Sequence, residues 1–198
     1  MRKLILQMQS SLDGFVASSD GDTSWLEWNW EPNWTWPKSL QQYHIDTVIS
    51  ADEVLLSSVM AEQGFIDHWT TVSKDTDNPA SVFAAAIANA HKTIFSHTPF
   101  TVRWDNTSIA TKDLVQEVAT LKSQPGKNII TFGGVRFATA LLKHGLVDEL
   151  HIISNPASLG DGLTIFNTGE VMRFSLLNAV SHSNGIVVLR YTPRHNVG

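Results

Sequence analysis

The stretch from Asn128 to Pro156 constrains this chain more than any other. It reads N-I-I-T-F-G-G-V-R-F-A-T-A-L-L-K-H-G-L-V-D-E-L-H-I-I-S-N-P, the pattern of strand, glycine turn, helix, glycine stop and second strand. Ile129 to Phe132 is a β-branched and aromatic run, long enough for a buried strand and too short for a helix. From Val135 the apolar positions Phe137, Ala138, Leu141 and Leu142 recur at helical spacing, and Lys143 and His144 fall in the last turn, where cations suit the helix dipole. Gly145 fits the left-handed stop, with Leu146 placed to close the hydrophobic contact of such a cap. A strand that feeds a helix through Gly133-Gly134 brings bare backbone N–H groups to a helix N-terminus, a ready anion site for which phosphate is the natural guest. The same pair also makes a plain tight turn. Arg136, a cation in the first helical turn, opposes the dipole by about 0.3–1 kcal/mol, which a bound phosphate offsets and an outward-pointing side chain avoids.

The rest of the chain follows an alternating pattern. Leu4, Ile5, Leu6 and Met8 predict a strand that stops near Ser10, and Asp13-Gly14 predicts a turn. Phe15 to Ala17 is a short extended piece, and Ser18 to Asp22 is a loop. Pro37 opens a helix over Lys38 to Ile49, Glu53 to Ser57 is a buried strand, and Ser57 to Glu62 turns into a short helix ended by Gly64. Phe65, Ile66 and Trp69 pack back on the core. Ser81 is the expected cap of a helix over Val82 to Asn89, Thr93 to Ser96 is a strand, and Val102 to Thr107 is a connection or minor strand. Thr111 is the expected cap of a helix from Lys112 to Lys122 with Leu114, Val115, Val118 and Leu121 on one face. Phe174 to Val180 and Gly185 to Tyr191 form a terminal hairpin. Strands alternating with helices, then an antiparallel end, predict one α/β domain over 1–198 with a mixed, mostly parallel sheet.

Composition narrows the function. The formal charge of -5 with scattered Lys and Arg argues against a nucleic-acid surface. The absence of cysteine excludes a disulfide scaffold, thiolate catalysis and Cys-ligated metal, and fits a cytoplasmic protein. The longest uncharged apolar stretch, Ala80 to Ala90, is shorter than a membrane span, and no signal peptide is read at the N-terminus. The eight histidines show no i, i+4 metal pair, and no serine-hydrolase elbow or Walker loop appears. Trp25, Trp28, Trp30, Trp34 and Trp36 crowd into twelve residues, with Pro32 among them and Pro37 directly after. Such rings serve as core, as a dimer contact, or as an aromatic wall against a planar ligand.

The runs S-L-D-G-F-V-A, D-G-D-T-S-W-L, A-D-E-V-L-L, the G-F-x-x-x-W of Gly64 to Trp69, and above all F-G-G-V-R-F-A-T-A-L-L-K-H-G-L-V-D-E-L-H-I followed by P-x-x-L-G-x-G resemble the RibD C-terminal, dihydrofolate-reductase-like family across nearly the whole chain. The resemblance implies a three-layer fold with a mixed sheet between helices, often a homodimer, and reduction of a small planar pterin or pyrimidine ring with NADPH. It places the cofactor turn at Gly133, Gly134, Val135 and Arg136, with Gly160 and Gly162 in a second glycine loop. It puts Asp13 beside the cleft as the candidate acid and matches Trp25 to a recurrent aromatic after the first loop; as an aromatic wall, Trp25 and Trp28 are the candidate substrate-binding rings. Where the family shows G-R-x-T-Y-E, this chain has Ser57-Ser58-Val59-Met60-Ala61-Glu62. Ser57 and Ser58 still offer hydroxyls to phosphate, but loss of an arginine contact costs about 1.5–3 kcal/mol. The carboxylate that grips folate in true dihydrofolate reductases is missing from Pro37-Lys38-Ser39-Leu40, so folate is not the expected substrate. The expectation is therefore an NAD(P)H-dependent reductase of a small planar heterocycle or carbonyl compound. The alternatives are a flavin binder and an inactive nucleotide- or metabolite-binding module, a dimeric scaffold on the same fold.

Overall fold

The 128–156 stretch folds as its pattern requires, and the sheet is assembled around it. The structure, a computed structural model, describes residues 1–194; His195 and the rest of the expected 1–198 unit lie outside the described residues. In chain order the elements are β1 (Leu4–Ser10), α1 (Lys38–Ile49), β2 (Ala51–Ser57), α2 (Ser58–Glu62), α3 (Phe65–Val72), α4 (Ser81–Asn89), β3 (His91–Phe95) and β4 (Thr107–Ile109). There follow α5 (Leu114–Ser123), β5 (Asn128–Thr131), α6 (Val135–Lys143), β6 (Glu149–Ser154), β7 (Phe174–Ser181) and β8 (Val187–Pro193). Gly145 takes φ 64° and donates its N–H to the Leu142 carbonyl at 2.9 Å, while the Leu146 N–H reaches the Leu141 carbonyl at 3.0 Å. These paired bonds end α6 and return the buried Leu146 to the helix's own apolar face.

The eight strands lie in the order β4-β3-β2-β5-β1-β6-β8-β7. The first six in sequence run parallel, and the β8–β7 hairpin is added antiparallel to β6. Side chains alternate across each strand, so β1 sends Leu4, Leu6 and Met8 to one face and Ile5 to the other. Helices α5 and α6 cover the first face with Val118, Leu121, Phe137, Leu141 and Leu142. Helices α1 to α4 cover the second, where the core is dominated by aromatic rings. The result is three layers, helices on both faces of a mixed sheet, as expected from the sequence.

Several local expectations are corrected. The cap of α5 is Asp113, whose carboxylate accepts from the Gln116 N–H at 2.9 Å. Thr111 and Lys112 lie before it, their N–H groups held by Glu117 at 3.1 Å. The helix starts later than expected, and Val115 is 42% exposed, at the margin of the stripe that buries Val118 and Leu121. Ser81 is the first residue of α4 and makes no side-chain cap; Asn78 holds that turn by accepting from the Ala80 N–H. The minor strand falls at 107–109, beyond most of the 102–107 stretch, and Phe65–Val72 is a full helix. Trp28, Trp34 and Trp36 are buried in the chain's own core, which removes them from a dimer contact.

Candidate functional site

Parallel strands place all their C-terminal ends on one rim of the sheet. At the middle of that rim β5 ends at Thr131, and Phe132, Gly133 (φ 142°) and Gly134 (φ 78°) lead into α6. A Cβ on Gly133 would stand 3.2 Å from the Met8 sulfur, and one on Gly134 would stand 3.2 Å from the Ser57 hydroxyl. Backbone thus fills the space between the ends of β1 and β2. Gly134 caps α6 with no side-chain bond, no acidic residue occupies the first turn, and Arg136 is exposed without a carboxylate partner among the described residues. The first amides of α6 and its dipole therefore face outward with nothing anionic to meet them. The Ser57 oxygen accepts from the Met60 N–H at 3.2 Å as the cap of α2, with Ser58 next in the chain. This donor set of neutral amides, serine hydroxyls and one free guanidinium fits the phosphates of a dinucleotide.

Beside this shelf, toward α1 to α4, lies a cavity of about 80 Å³. Phe132, the residue before Gly133, forms part of its wall, as does Met60 of α2. Trp28, Trp30, Phe65, Trp69 and Phe83 complete an aromatic enclosure. Trp28 stacks on Trp34 at 4.9 Å, and Phe83 meets Trp69 edge-on at 4.8 Å, so each ring is fixed by another. Gln41 ties the tryptophan segment to α1, its amide donating to the Trp34 and Trp36 carbonyls at 3.1 and 2.7 Å. Trp30 is held at φ 65°, a left-handed conformation that costs a side-chain-bearing residue about 1–2 kcal/mol, and stacks on His68 at 5.4 Å.

The polar side chains of the cavity are Gln7, Gln9 and His44, and it carries no formal charge. Gln9 is committed: its amide donates to the Trp28 carbonyl and its oxygen accepts from Asn155. Gln7 is 2% exposed, and neither its oxygen nor its nitrogen has a partner among the described residues. A buried amide group left so costs about 1–3 kcal/mol. His44 lies flat on Phe83 at 4.2 Å with Nδ1 also unpartnered, and burial pushes its pKa down to about 3, so the ring is neutral.

Gln7 stands directly opposite His151 across the β1–β6 pairing, and His151 opposite Arg190 of β8. Burial favours a neutral His151. Burial works against the charge of Glu149, but hydrogen bonds from Lys3, Arg190 and His151 outweigh it and hold the carboxyl well below the usual range. An ionised Glu149 accepting from His151 Nε2 at 3.1 Å puts the proton on that nitrogen, so Nδ1 accepts from the Tyr43 hydroxyl at 2.7 Å. Tyr43, His151, Glu149 and Arg190 are thus joined by hydrogen bonds next to the cavity, in a network that Gln7 does not enter.

The residues expected from the sequence divide accordingly. Gly133, Gly134, Val135, Arg136, Ser57 and Ser58 come together on the shelf, and Trp28 lines the cavity. Trp25 does not line it, since the chain turns its half-buried ring elsewhere. Gly160 and Gly162 are not part of the shelf: the Gly160 N–H donates to Asp13, the Gly162 N–H to Asp161, and a Cβ on Gly162 would meet the Ala17 carbonyl at 2.3 Å. Asp13 is not an acid poised over the cleft. Its carboxylate accepts from the Ser11 and Ser158 hydroxyls at 2.6 and 2.7 Å and from the Gly160 and Leu159 amides, which hold it far below the usual carboxylate range. Gln7, His44, Trp69 and Phe132 were missed as site residues. Two carried a signal: Gln7 is polar between the apolar Leu6 and Met8 of a strand that begins as a continuous apolar run, and His44 continues the Leu40, Val48 stripe of α1 at i, i+4 spacing.

The model of the RibD C-terminal domain matches residues 2–188. The uncharacterized protein YyaP of Bacillus subtilis (strain 168) is 28% identical over 96% of this chain and 94% of its own. Among solved structures, a protein assigned to riboflavin biosynthesis from Shewanella sp. PV-4 superposes with a TM-score of 0.68 at 20% identity, over 98% of this chain and 99% of that one. Dihydrofolate reductase from Enterococcus faecalis, in complex with NADP(H), does so at 0.58 and 9% identity, over 98% and 97%. The fold is thus dihydrofolate-reductase-like, and no helix among the described residues is long and apolar enough to cross a membrane. With a matching model over almost its full length and a three-layer fold to go with it, the chain belongs to the RibD C-terminal domain family.

Proposed function

We propose that this protein is a nicotinamide-dinucleotide-dependent reductase of a small planar heterocycle, with NADPH as the expected cofactor. The observation that carries the reading is the Phe132-Gly133-Gly134 segment, in which one residue walls the aromatic cavity and the next two open the amide shelf. A ring held in the cavity and phosphates held on the shelf are then neighbours across a single peptide unit. The amides of Val135 and Arg136, the Arg136 guanidinium and the Ser57-Ser58 hydroxyls hold the phosphates, and the dinucleotide supplies the hydride when bound. Trp28, Trp69 and Phe132 orient the substrate ring and exclude water. Asp13 is anionic and committed, no carboxyl lines the cavity, and His44 is neutral, so the proton that completes the reduction comes from solvent at the cavity mouth.

Titration with NADPH and NADH, followed through tryptophan fluorescence, tests the cofactor half. Micromolar binding of one dinucleotide, weakened about tenfold or more by Arg136→Ala or by Gly134→Val, is the expected result. Absence of binding at millimolar levels overturns the reductase and leaves a binding module without hydride chemistry. A homodimer is also part of the proposal, and its surface moves from the tryptophans to edge strand β7, where Leu176, Leu177 and Val180 are exposed. Light scattering at two concentrations checks it.

A further inference from the structure

We propose that the aromatic cavity binds an uncharged flat ring by its lactam or carboxamide edge, read by the side-chain amide of Gln7. The inference rests on the placement of the substrate cavity made above and adds the chemistry of its ligand. Gln7 presents a donor and an acceptor side by side, and both are buried and unpartnered. A ring with adjacent N–H and C=O groups satisfies both at once through two parallel hydrogen bonds, the geometry by which glutamine reads the edge of a base. The indole N–H of Trp69, another lining residue, is also buried and unpartnered and supplies a second donor. Gln9 does not compete, since both ends of its amide are engaged. Tyr43 is the internal rival: its hydroxyl donates to His151 at 2.7 Å and its oxygen, near Gln7, keeps a lone pair, but it closes no hydrogen bond to either end of the Gln7 amide.

The lining sets the charge of the guest. With no Lys or Arg in the wall, a carboxylate or phosphate carried on the bound ring loses its water and gains no counter-ion. Six aromatic rings would accept a cation by their faces, but a cation leaves the Gln7 nitrogen and the Trp69 N–H without acceptors. A volume of about 80 Å³ admits the edge of one ring and leaves the rest of the ligand outside.

The test is a nuclear magnetic resonance titration of the labelled protein, reading the Gln7 amide and Trp69 indole signals. The probes are 2-pyridone, N-methyl-2-pyridone, benzoate and tetramethylammonium. The expected result is that 2-pyridone shifts both signals, N-methylation weakens binding about tenfold, and the two ions bind more weakly still. Gln7→Met should weaken 2-pyridone by a similar factor. Equal affinity for the N-methyl compound overturns the proposal, as does tighter binding of either ion, an unaffected Gln7→Met protein, or no binding of any probe. The probe series on the unaltered protein decides the matter even if the variant fails to fold. Because 2-pyridone needs no dinucleotide, lactam binding without dinucleotide binding sinks the reductase and leaves this inference standing, and the converse pattern does the reverse.

Discussion

The two faces of the sheet are built from the same strands and solve different problems. Under α5 and α6 the core is aliphatic, with Leu4, Leu6, Leu55, Ile129, Leu141 and Leu150 at 0–1% exposure. Under α1 to α4 it is aromatic, and the unpartnered buried atoms of Gln7, His44 and four tryptophans belong to that side or its covering segment. Branched aliphatic chains interdigitate to crystal-like density, whereas large rings pack in offset and edge-to-face pairs, and here the cavity lies among such rings. Both faces bury a continuous core, and the candidate cavity lies within the aromatic one.

The largest test separates the two. Leu141→Ala removes a fully buried side chain from the aliphatic face and should cost about 2–5 kcal/mol in denaturant unfolding. Binding of 2-pyridone to the opposite face should stay within about twofold, since distant sites act independently to a few tenths of a kcal/mol. A loss of binding as large as the loss of stability would show that the faces are one mechanical unit and break the comparison.

What could be read from the sequence follows the same division. The α6 unit was legible because its information is local: apolar residues at helical spacing, Gly145 as a left-handed stop, and two glycines where a strand becomes a helix. The terminal hairpin was legible for the same reason. The cavity was not, since Gln7, His44, Trp69, Phe83 and Phe132 come from five separate elements or loops, and each aromatic alone reads as ordinary core. Asp13 shows the limit of a motif. Asp-Gly after a first strand suggested an acid by resemblance, yet three of its four donor groups come from Ser158, Leu159 and Gly160, about as far along the chain as β6 is from β1. The late start of α5 was settled by Asp113 over Thr111, a choice between two good caps that spacing alone does not make.

A second test asks whether the aromatic face is strained by its polar groups. His44 has its pKa pushed down to about 3 by burial, whereas the unfolded chain binds that proton near 6.5. Between these values the unfolded state carries more protons, so the contribution of the neutral ring is complete above about pH 6.5 and falls by up to ~1.4 kcal/mol per pH unit on acidification. His44→Phe should remove that slope in unfolding measured from pH 7 to 4, keeping the ring stack on Phe83. If both proteins show the same slope, His44 is reached by solvent and the enclosure is more open than its geometry implies.

The smallest effect concerns Asp13, which belongs to neither face and clasps the turn after β1 to the loop after β6 at the sheet's rim. Asp13→Asn keeps the shape of the side chain but removes the charge, and its amide nitrogen cannot accept from Ser158, Leu159 or Gly160. The loop should loosen, and hydrogen exchange at the Leu159 and Gly160 amides should quicken, while dinucleotide and 2-pyridone affinities stay within about twofold. In the unaltered protein the same loosening should come only at strongly acid pH. The folded-state pKa lies below the unfolded value of 3.8, so the clasp is complete above 3.8 and is lost as pH falls toward the lower value. An Asp13→Asn protein with unchanged loop exchange and abolished dinucleotide binding would return Asp13 to the site, and would make the rim, rather than the aromatic face, the place where function resides.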